Sequence, residues 1–566
     1  MKLSIDERDI LAKPQMTLRD MVDELGLDSN RLAEKPLAAK IAGEVFNLNY
    51  IPLRDKDVSG ERPSMRRAMA ASKGVVKLLR YSDPAGKDVY TRTSQFVMFL
   101  ALHQLWPHAR GKMNCKVGKA LYIEVTGAED FCVSKLKAQI EKIVEQDIPL
   151  IRRSMTTADA MAQFQKNGQP DKARLLSWRQ DATFSMYSYG DYSDYFYGEL
   201  APSTGSLVTW DILPADGGFM FLYPEDDDPE QVSRYMDLPK YLQVSLEGER
   251  WCKLMECENV ADLNELVCSG KIRELIRVNE ALHEKRYSQV ADRICEQGAK
   301  VVMLAGPSSS GKTTSANRLA TQLRVHGMKP VLMSLDDYYV DRETILPGPD
   351  GQIDFEHINT IDADLFRSHM KSLLAGCEVE LPVFDFIEGK RKWVGNKLQL
   401  SSRSVIIVEG LHALNPVLLP EDIREDDVFK LYVSPLLPLN LDDHNRIPTS
   451  LLRLLRRTVR DYETRGASVQ KTMSMWGSVR QGEVRWIFPF QEKADMIFNS
   501  STLYELAVLK KHIYPLLVAI QPEESCYEQV RALVKILNYV KEADVDDEIP
   551  PTSLVREFIG GNAFYK

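Results

Sequence analysis

Histidine and cysteine are scarce in this 566-residue chain, at 9 and 8 residues, and neither is clustered. The cysteines, at positions 115, 132, 252, 257, 268, 295, 377 and 526, form no CxxC pair and have no histidine-rich neighbourhood. That excludes a zinc ribbon and a disulfide scaffold, and leaves buried or incidental thiols of a reducing compartment. No apolar run approaches the roughly 18 residues of a membrane span. No signal-peptide pattern opens the chain, so the expectation is a cytoplasmic protein with no membrane partner. Excess positive charge is missing too: 72 Lys and Arg stand against 81 Asp and Glu, a net charge of −9. A surface built to wrap nucleic acid non-specifically would have the opposite balance. Repeats and low-complexity tracts are absent. What remains is an ordinary globular composition, 44% apolar and 27% charged, in a chain too long for one core.

The most informative stretch is Ala305-Gly306-Pro307-Ser308-Ser309-Ser310-Gly311-Lys312-Thr313-Thr314. It fills every fixed position of GxxxxGK(S/T), between the apolar run Val301 to Leu304 and a helix-compatible segment, Ala316 to Leu323. Such a loop turns backbone N–H groups toward a triphosphate. Gly306 and Gly311 permit the tight path, and residues 306 to 314 form the nucleotide cradle. Lys312 reaches the β/γ-phosphates, and the Thr313 hydroxyl can hold Mg²⁺. ATP and Mg²⁺ are therefore the expected cofactors.

Downstream, strand signals at Val331 to Leu335, Val405 to Val408, Val428 to Val433 and Met496 to Phe498 alternate with helical stretches, the pattern of a doubly wound parallel sheet. Ligands in such folds lie beyond the carboxyl ends of the strands. The second strand runs into Asp336-Asp337-Tyr338-Tyr339. There Asp336 can accept a proton from an attacking hydroxyl, help to hold Mg²⁺, or cap the next segment. The next strand ends at Glu409, positioned as a metal-side carboxylate. Arg453, Arg456, Arg457 and Arg460 recur at helical spacing, so one face gathers guanidinium groups suited to a transferring phosphoryl group.

Taken together, the P-loop, Ser334-Leu335-Asp336-Asp337-Tyr338-Tyr339, Asp354-Phe355-Glu356-His357, Leu381-Pro382-Val383-Phe384-Asp385-Phe386, Glu409-Gly410-Leu411-His412, Arg456-Arg457-Thr458-Val459-Arg460-Asp461 and Arg465-Gly466 resemble the uridine kinase and phosphoribulokinase family in order and spacing. The resemblance implies Lys312 and Thr313 for Mg-ATP, Asp336 as general base and Glu409 at the metal. It also implies Arg457, Arg460 and Arg465 as lid and phosphate-side arginines, and Glu356, Phe384 and Asp385 lining the acceptor pocket. The chain departs from uridine kinases where Glu388-Gly389 replaces a histidine, Phe384 a tyrosine, Ala467 an arginine and Met475 a glutamine. A pocket that loses polar groups loses discrimination for a base.

Upstream, Thr17 to Leu25 has helical spacing and Pro36 to Val45 reads as a strand turning at Gly43. Leu37 to Tyr50 resembles the TGS domain at the front of threonyl-tRNA synthetases. Thr93 to Leu100 and Phe196 to Gly205 resemble the editing-type domain that follows it. That family carries HxxxH and CxxxH there; this chain has Thr93 and Val97, then Phe196 and Leu200, so metal binding and editing lose their donors.

The expected organisation is a ubiquitin-like α+β TGS-like domain at 1–60, an α+β editing-like domain without metal ligands at 61–235, and a helical connector at 236–296. An α/β P-loop kinase domain at 297–525 and a C-terminal helix and tail at 526–566 complete it. The helix from Tyr527 is expected on the kinase sheet, and Leu554 to Ile559 is apolar enough to dock on another domain. The expected activity is ATP-dependent phosphorylation of a nucleoside hydroxyl, uridine-type. Alternatives are another small alcohol or sugar as acceptor, or an ATP-sensing regulator whose N-terminal half binds RNA. Homo-oligomerisation stays open.

Overall fold

The structure is a computed structural model that describes residues 2–52, 71–179, 181–345, 354 and 356–564. The chain forms two compact units. The first contains Met1–Asp237 with two short later segments, Asn259–Ala261 and Asn440–Arg446; the second contains the remainder.

The first unit opens with a mixed sheet of β1 (Lys2–Ile5), β2 (Arg8–Leu11), β3 (Ala38–Ile41), β4 (Glu44–Phe46) and β5 (Val75–Leu79), in the order β2-β1-β5-β3-β4. Its helix α1 (Leu18–Glu24) starts where Thr17 and Asp20 exchange hydrogen bonds. The Asp20 carboxylate accepts from the Thr17 amide at 2.8 Å, and the Thr17 hydroxyl accepts from the Asp20 amide at 3.0 Å. Such a box satisfies two amides that the first turn leaves open. The expected turn at Gly43 is present, with φ +48° at Ala42 and +90° at Gly43. The expected boundary at 60 is corrected: central strand β5 lies beyond it, parallel to β1 and antiparallel to β3. Val76 and Leu78 complete the core with Leu3, Ile5, Met21 and Ile41.

Beyond this sheet, α2 (Pro84–Leu105) is buried throughout residues 96–102, the stretch of it that is apolar on every side. Strands β6 (Arg110–Val117), β7 (Ala120–Thr126), β8 (Arg152–Thr156), β9 (Thr183–Tyr189), β10 (Tyr192–Asp194), β11 (Asp211–Ala215) and β12 (Gly218–Leu222) form two further sheets, β11-β12-β7-β6 and β10-β9-β8. The four positions of the editing-type resemblance lie in the core. Val97 and Leu200 are fully buried and Phe196 nearly so. The Thr93 hydroxyl donates to the Val89 carbonyl and accepts from the Ala201 amide, both at 2.8 Å. Among the described residues no group of three or more His, Cys, Asp or Glu could hold a metal ion.

Two short strands from the kinase half, β19 (Asn440–Asp442) and β20 (Asn445–Arg446), belong to this first unit. His444 stacks on Phe99, with ring centroids 3.5 Å apart, and sits 2.6 Å from the Asp194 carboxylate. Lys172 lies 2.7 Å from the same carboxylate, and both side chains are almost fully buried. Lys172 and His444 together hold the Asp194 carboxyl well below its usual range, while Asp194 and Asp442 hold the Lys172 ammonium above its own. A depressed carboxyl contributes stability that is lost as pH falls through its folded pKa; a raised amine loses its contribution as pH rises through its own. The pair is thus fully stabilising between about pH 4 and about pH 10. Lys172→Met strands a buried carboxylate and is expected to cost about 3–5 kcal/mol. Urea unfolding of the full chain checks this: a loss under about 1 kcal/mol contradicts it.

The second unit begins with helices α3 (Pro239–Leu254), Val260–Cys268, which starts in the first unit, and α4 (Ile272–Gln297). A parallel sheet follows, built from β13 (Val301–Ala305), β14 (Lys329–Ser334), β17 (Ser404–Glu409), β18 (Val428–Ser434) and β21 (Met496–Asn499), in the order β14-β17-β13-β18-β21. An antiparallel hairpin, β15 (Val379–Asp385) and β16 (Lys390–Leu398), stands apart from it. Alternate residues feed two cores. Met303, Ile406 and Val408 face Phe366 and Met370 on one side, whereas Val302, Leu304 and Ile407 face Tyr287, Ile294 and Leu319 on the other. That alternation explains why these strands are apolar throughout. The helix Tyr527–Leu537 packs against α8 (Glu505–Val518), not on the sheet as expected. Among the described residues no helix is long and apolar enough to cross a membrane.

Candidate phosphoryl-transfer site

The central strand β13 delivers the chain into residues 306–311, and α5 (Lys312–Val325) leaves it. Gly306 must be glycine: a Cβ there would lie 2.1 Å from the Val433 carbonyl oxygen of β18. Gly311 takes φ +88° immediately before the helix, a conformation that β-carbons disfavour. Ser309 adopts φ +58° inside the loop. The Lys312 ammonium folds back on the Pro307 carbonyl at 3.2 Å.

Register then sets the carboxylates. Glu409 pairs laterally with Leu304 on β13 and with Ser334 on β14, so it ends beside the loop. Its carboxylate accepts from the Ser334 hydroxyl at 3.1 Å and from the Thr313 hydroxyl at 3.4 Å. Burial and the neighbouring Asp336 push the Glu409 carboxyl up to about 7, against the pull of Lys312. Asp336 is also raised, by burial, with Lys312, Arg465 and Arg460 opposing, and the Tyr339 hydroxyl donates to it. Ser334, not Asp336, caps the short helical turn Leu335–Tyr338, so the Asp336 carboxylate is left for the cluster. Burial lowers the Lys312 ammonium while Glu409 and Asp336 hold it up.

The arginine face is a real helix face, on α6 (Thr449–Arg465), and its members bind the loop backbone as well as facing it. Arg453 Nε donates to the Ser308 carbonyl at 2.8 Å, and Arg456 donates to the Ser309 carbonyl at 3.4 Å. Arg457 and Arg460 donate to the Ser308 and Ser309 hydroxyls at 3.2 and 3.3 Å. Arg457 and Arg465 both also bind Asp461, at 3.2 and 3.3 Å. Arg456 is fully buried against Glu505, 2.7 Å away.

On the remaining side, Glu356 packs over Gly482 of α7 (Val469–Trp486), where any Cβ would meet its side chain at 2.3 Å. Burial and Glu483 raise the Glu356 carboxyl to about 7, with Arg457 and Lys312 opposing. Phe384 is buried edge-on to Tyr339, centroids 5.6 Å apart. Asp385 has other partners: Lys392 at 2.7 Å and the Ile387 and Glu388 amides of the hairpin turn. Lys392 holds its carboxyl at about 2.

One participant, Glu483, carries no local sequence signal. Glu483 is buried, accepts from the Ser308 amide at 3.1 Å and pairs with Arg453 and Arg480. Tyr339 joins Asp336 to Phe384, and His412 is buried with its ring bonded to the Glu356 backbone, its basicity pushed down to about 4 by burial. The tail packs on this loop: Leu554 covers Gly311.

The donor set fits a magnesium nucleotide. Two hydroxyls, Thr313 and Ser334, converge on one strand-end carboxylate, which is hard oxygen chemistry suited to Mg²⁺. Ser310 Oγ and Arg460 Nε are buried beside the loop without hydrogen-bond partners, donors left over for an anionic ligand. A parallel sheet, a P-loop after its central strand, and acidic residues at the neighbouring strand ends together define a P-loop kinase fold.

Comparison with known proteins agrees. Residues 301–507 match the phosphoribulokinase / uridine kinase family. The uridine kinase of Lactobacillus helveticus is 30% identical over 209 residues, 37% of this chain and 90% of that protein. By these residues the chain belongs to the phosphoribulokinase and uridine kinase family. The N-terminal half is similar to threonine–tRNA ligases, that of Parabacteroides distasonis being 28% identical over 197 residues, or 34% of this chain. The chain spans only 27% of that ligase's length. Among solved structures, a "possible uridine kinase" from Bacillus stearothermophilus aligns with 37% of this chain and 96% of its own at 19% identity and a TM-score of 0.25.

Proposed function

We propose that this protein is an ATP- and Mg²⁺-dependent kinase that transfers the γ-phosphoryl group to a hydroxyl of a small acceptor, a nucleoside of the uridine type. One observation carries the reading: Lys312, Thr313, Asp336 and Glu409 meet at the strand ends beside the P-loop, under an arginine-bearing helix. Thr313 and Glu409 would hold the metal, which would supply charge neutralisation for the nucleotide phosphates. Asp336 takes the acceptor proton as the new O–P bond forms and the bond to the β-phosphate oxygen breaks, with ADP leaving. A carboxyl raised by burial is a stronger base than a free one, which suits a hydroxyl donor. Lys312, Arg457, Arg460 and Arg465 stabilise the charge in flight.

The acceptor lies between Glu356, Phe384 and Tyr339. Family membership and the uridine kinase relative support a nucleoside; the apolar Phe384 ring favours a stacked base over a free sugar. Asp385 shapes the hairpin turn, holding Phe384 in place. Acceptor-dependent ADP release by the full chain tests this. Stimulation by uridine or cytidine, and none by sugars or glycerate-like alcohols, is the expected pattern. Stimulation by a sugar alone overturns the acceptor class, and no stimulation by any hydroxyl compound overturns the kinase.

A further inference from the structure

The last described residues of the chain contain a carboxylate seated in the anion position of the P-loop. Thr314 is the third residue of α5, and its amide points out of the helix N-terminus, where phosphate oxygens are received. Its N–H and hydroxyl both donate to Glu557, at 3.4 and 2.7 Å, and Arg460 donates to the other carboxylate oxygen at 3.2 Å. An amide, a hydroxyl and a guanidinium on one pair of oxygens is the donor set that a phosphate uses.

The segment is also firmly seated. A Cβ added to Gly311 would lie 2.7 Å from Leu554, so this side chain closes the open face of the loop glycine. Phe558 is fully buried beneath the Arg456 and Arg460 guanidinium groups, 4.9 and 5.9 Å from its ring centre. Asn562 donates to the Thr314 hydroxyl at 3.2 Å, and the Ser553 hydroxyl donates to Glu280 at 2.7 Å. Arg456 and Arg460 are the same side chains that reach Ser309 of the loop.

We propose that the segment Leu554–Asn562 is a built-in competitor of the nucleotide, with Glu557 standing where a phosphate of ATP or ADP binds. Two anions cannot share the Thr314 donors, so nucleotide entry requires the segment to withdraw. Withdrawal also frees Arg460 from Glu557 for the phosphates. The coupling is reciprocal: whatever holds the segment down weakens nucleotide binding, and nucleotide loosens the segment.

The inference rests on the P-loop's taking a nucleotide, and the test separates the two. Mg-ADP binding is measured by calorimetry on the full-length protein and on Glu557→Gln, and hydrogen exchange of residues 553–562 is followed in the wild type with and without saturating Mg-ADP. The expected results are affinity on the order of 10-fold tighter in Glu557→Gln, and faster exchange in the segment when ADP is present. Equal or weaker binding by the variant, or slower exchange with ADP, overturns the competitor and makes the segment a wall of the nucleotide site. Absence of ADP binding by both proteins overturns the nucleotide reading along with it.

Discussion

Asp336→Asn is expected to lower kcat by about 10²–10⁴-fold, the contribution of a positioned general base, while Mg-ADP binds as tightly as before. The two outcomes separate because of where Asp336 sits. Its carboxyl is raised by burial, with Lys312 opposing, and receives the Tyr339 hydroxyl, whereas the Thr313 and Ser334 hydroxyls converge on Glu409. Asparagine retains the shape and can still accept from Tyr339, but it cannot take a proton from the acceptor. Single-turnover transfer with saturating acceptor and calorimetric binding of ADP check the two halves. An equal loss of binding and turnover would place Asp336 at the metal instead. Unchanged turnover would remove it from the chemistry.

Lys312→Met carries the second large effect, for a different reason. The ammonium lowers both the Glu409 and the Asp336 carboxyl against burial. Removing it takes away a charge that follows the transferring group, a loss of about 10²–10³-fold in kcat. It also lets both carboxyls rise further, Glu409 from a value already at about 7. A base works only above its pKa, so activity falls as pH drops through the raised value, and the acid limb of the variant's kcat/KM profile moves to higher pH. Profiles measured between pH 6 and pH 9 at saturating Mg²⁺ show this directly. A variant that loses rate with no shift in its acid limb would mean that Lys312 does not face Asp336 in the working enzyme.

The same geometry explains the arginine helix. Arg453 and Arg456 were expected on one face because they recur at helical spacing, but burial makes them structural. They clamp the Ser308 and Ser309 carbonyls and are neutralised by Glu483 and Glu505. Arg457 and Arg460, one turn on, reach the loop hydroxyls, and Arg460 keeps a buried Nε without a hydrogen-bond partner. Spacing shows that four guanidinium groups share a face. It does not show which of them have buried carboxylate partners, because Glu483 and Glu505 arrive from other helices.

The sequence alone determined the α/β kinase half, its strand order of appearance, and the cluster of Gly306 to Thr314, Asp336 and Glu409. Each of these is a local signal: an apolar run of four or five residues makes a strand buried on both faces, and ligand groups follow at its carboxyl end. It determined as well that Thr93, Val97, Phe196 and Leu200 carry neither imidazole nor thiolate, since side-chain chemistry is read directly. Tertiary structure alone decided that β5 completes the first sheet from beyond residue 60, and that Asn440–Arg446 joins the first unit. It also decided that Glu483 enters the site, and that Glu557 lies on Thr314 across 243 residues of chain. Such pairings come from packing and register between distant segments. Composition and periodicity describe one segment at a time, so contacts of that range leave no mark in them.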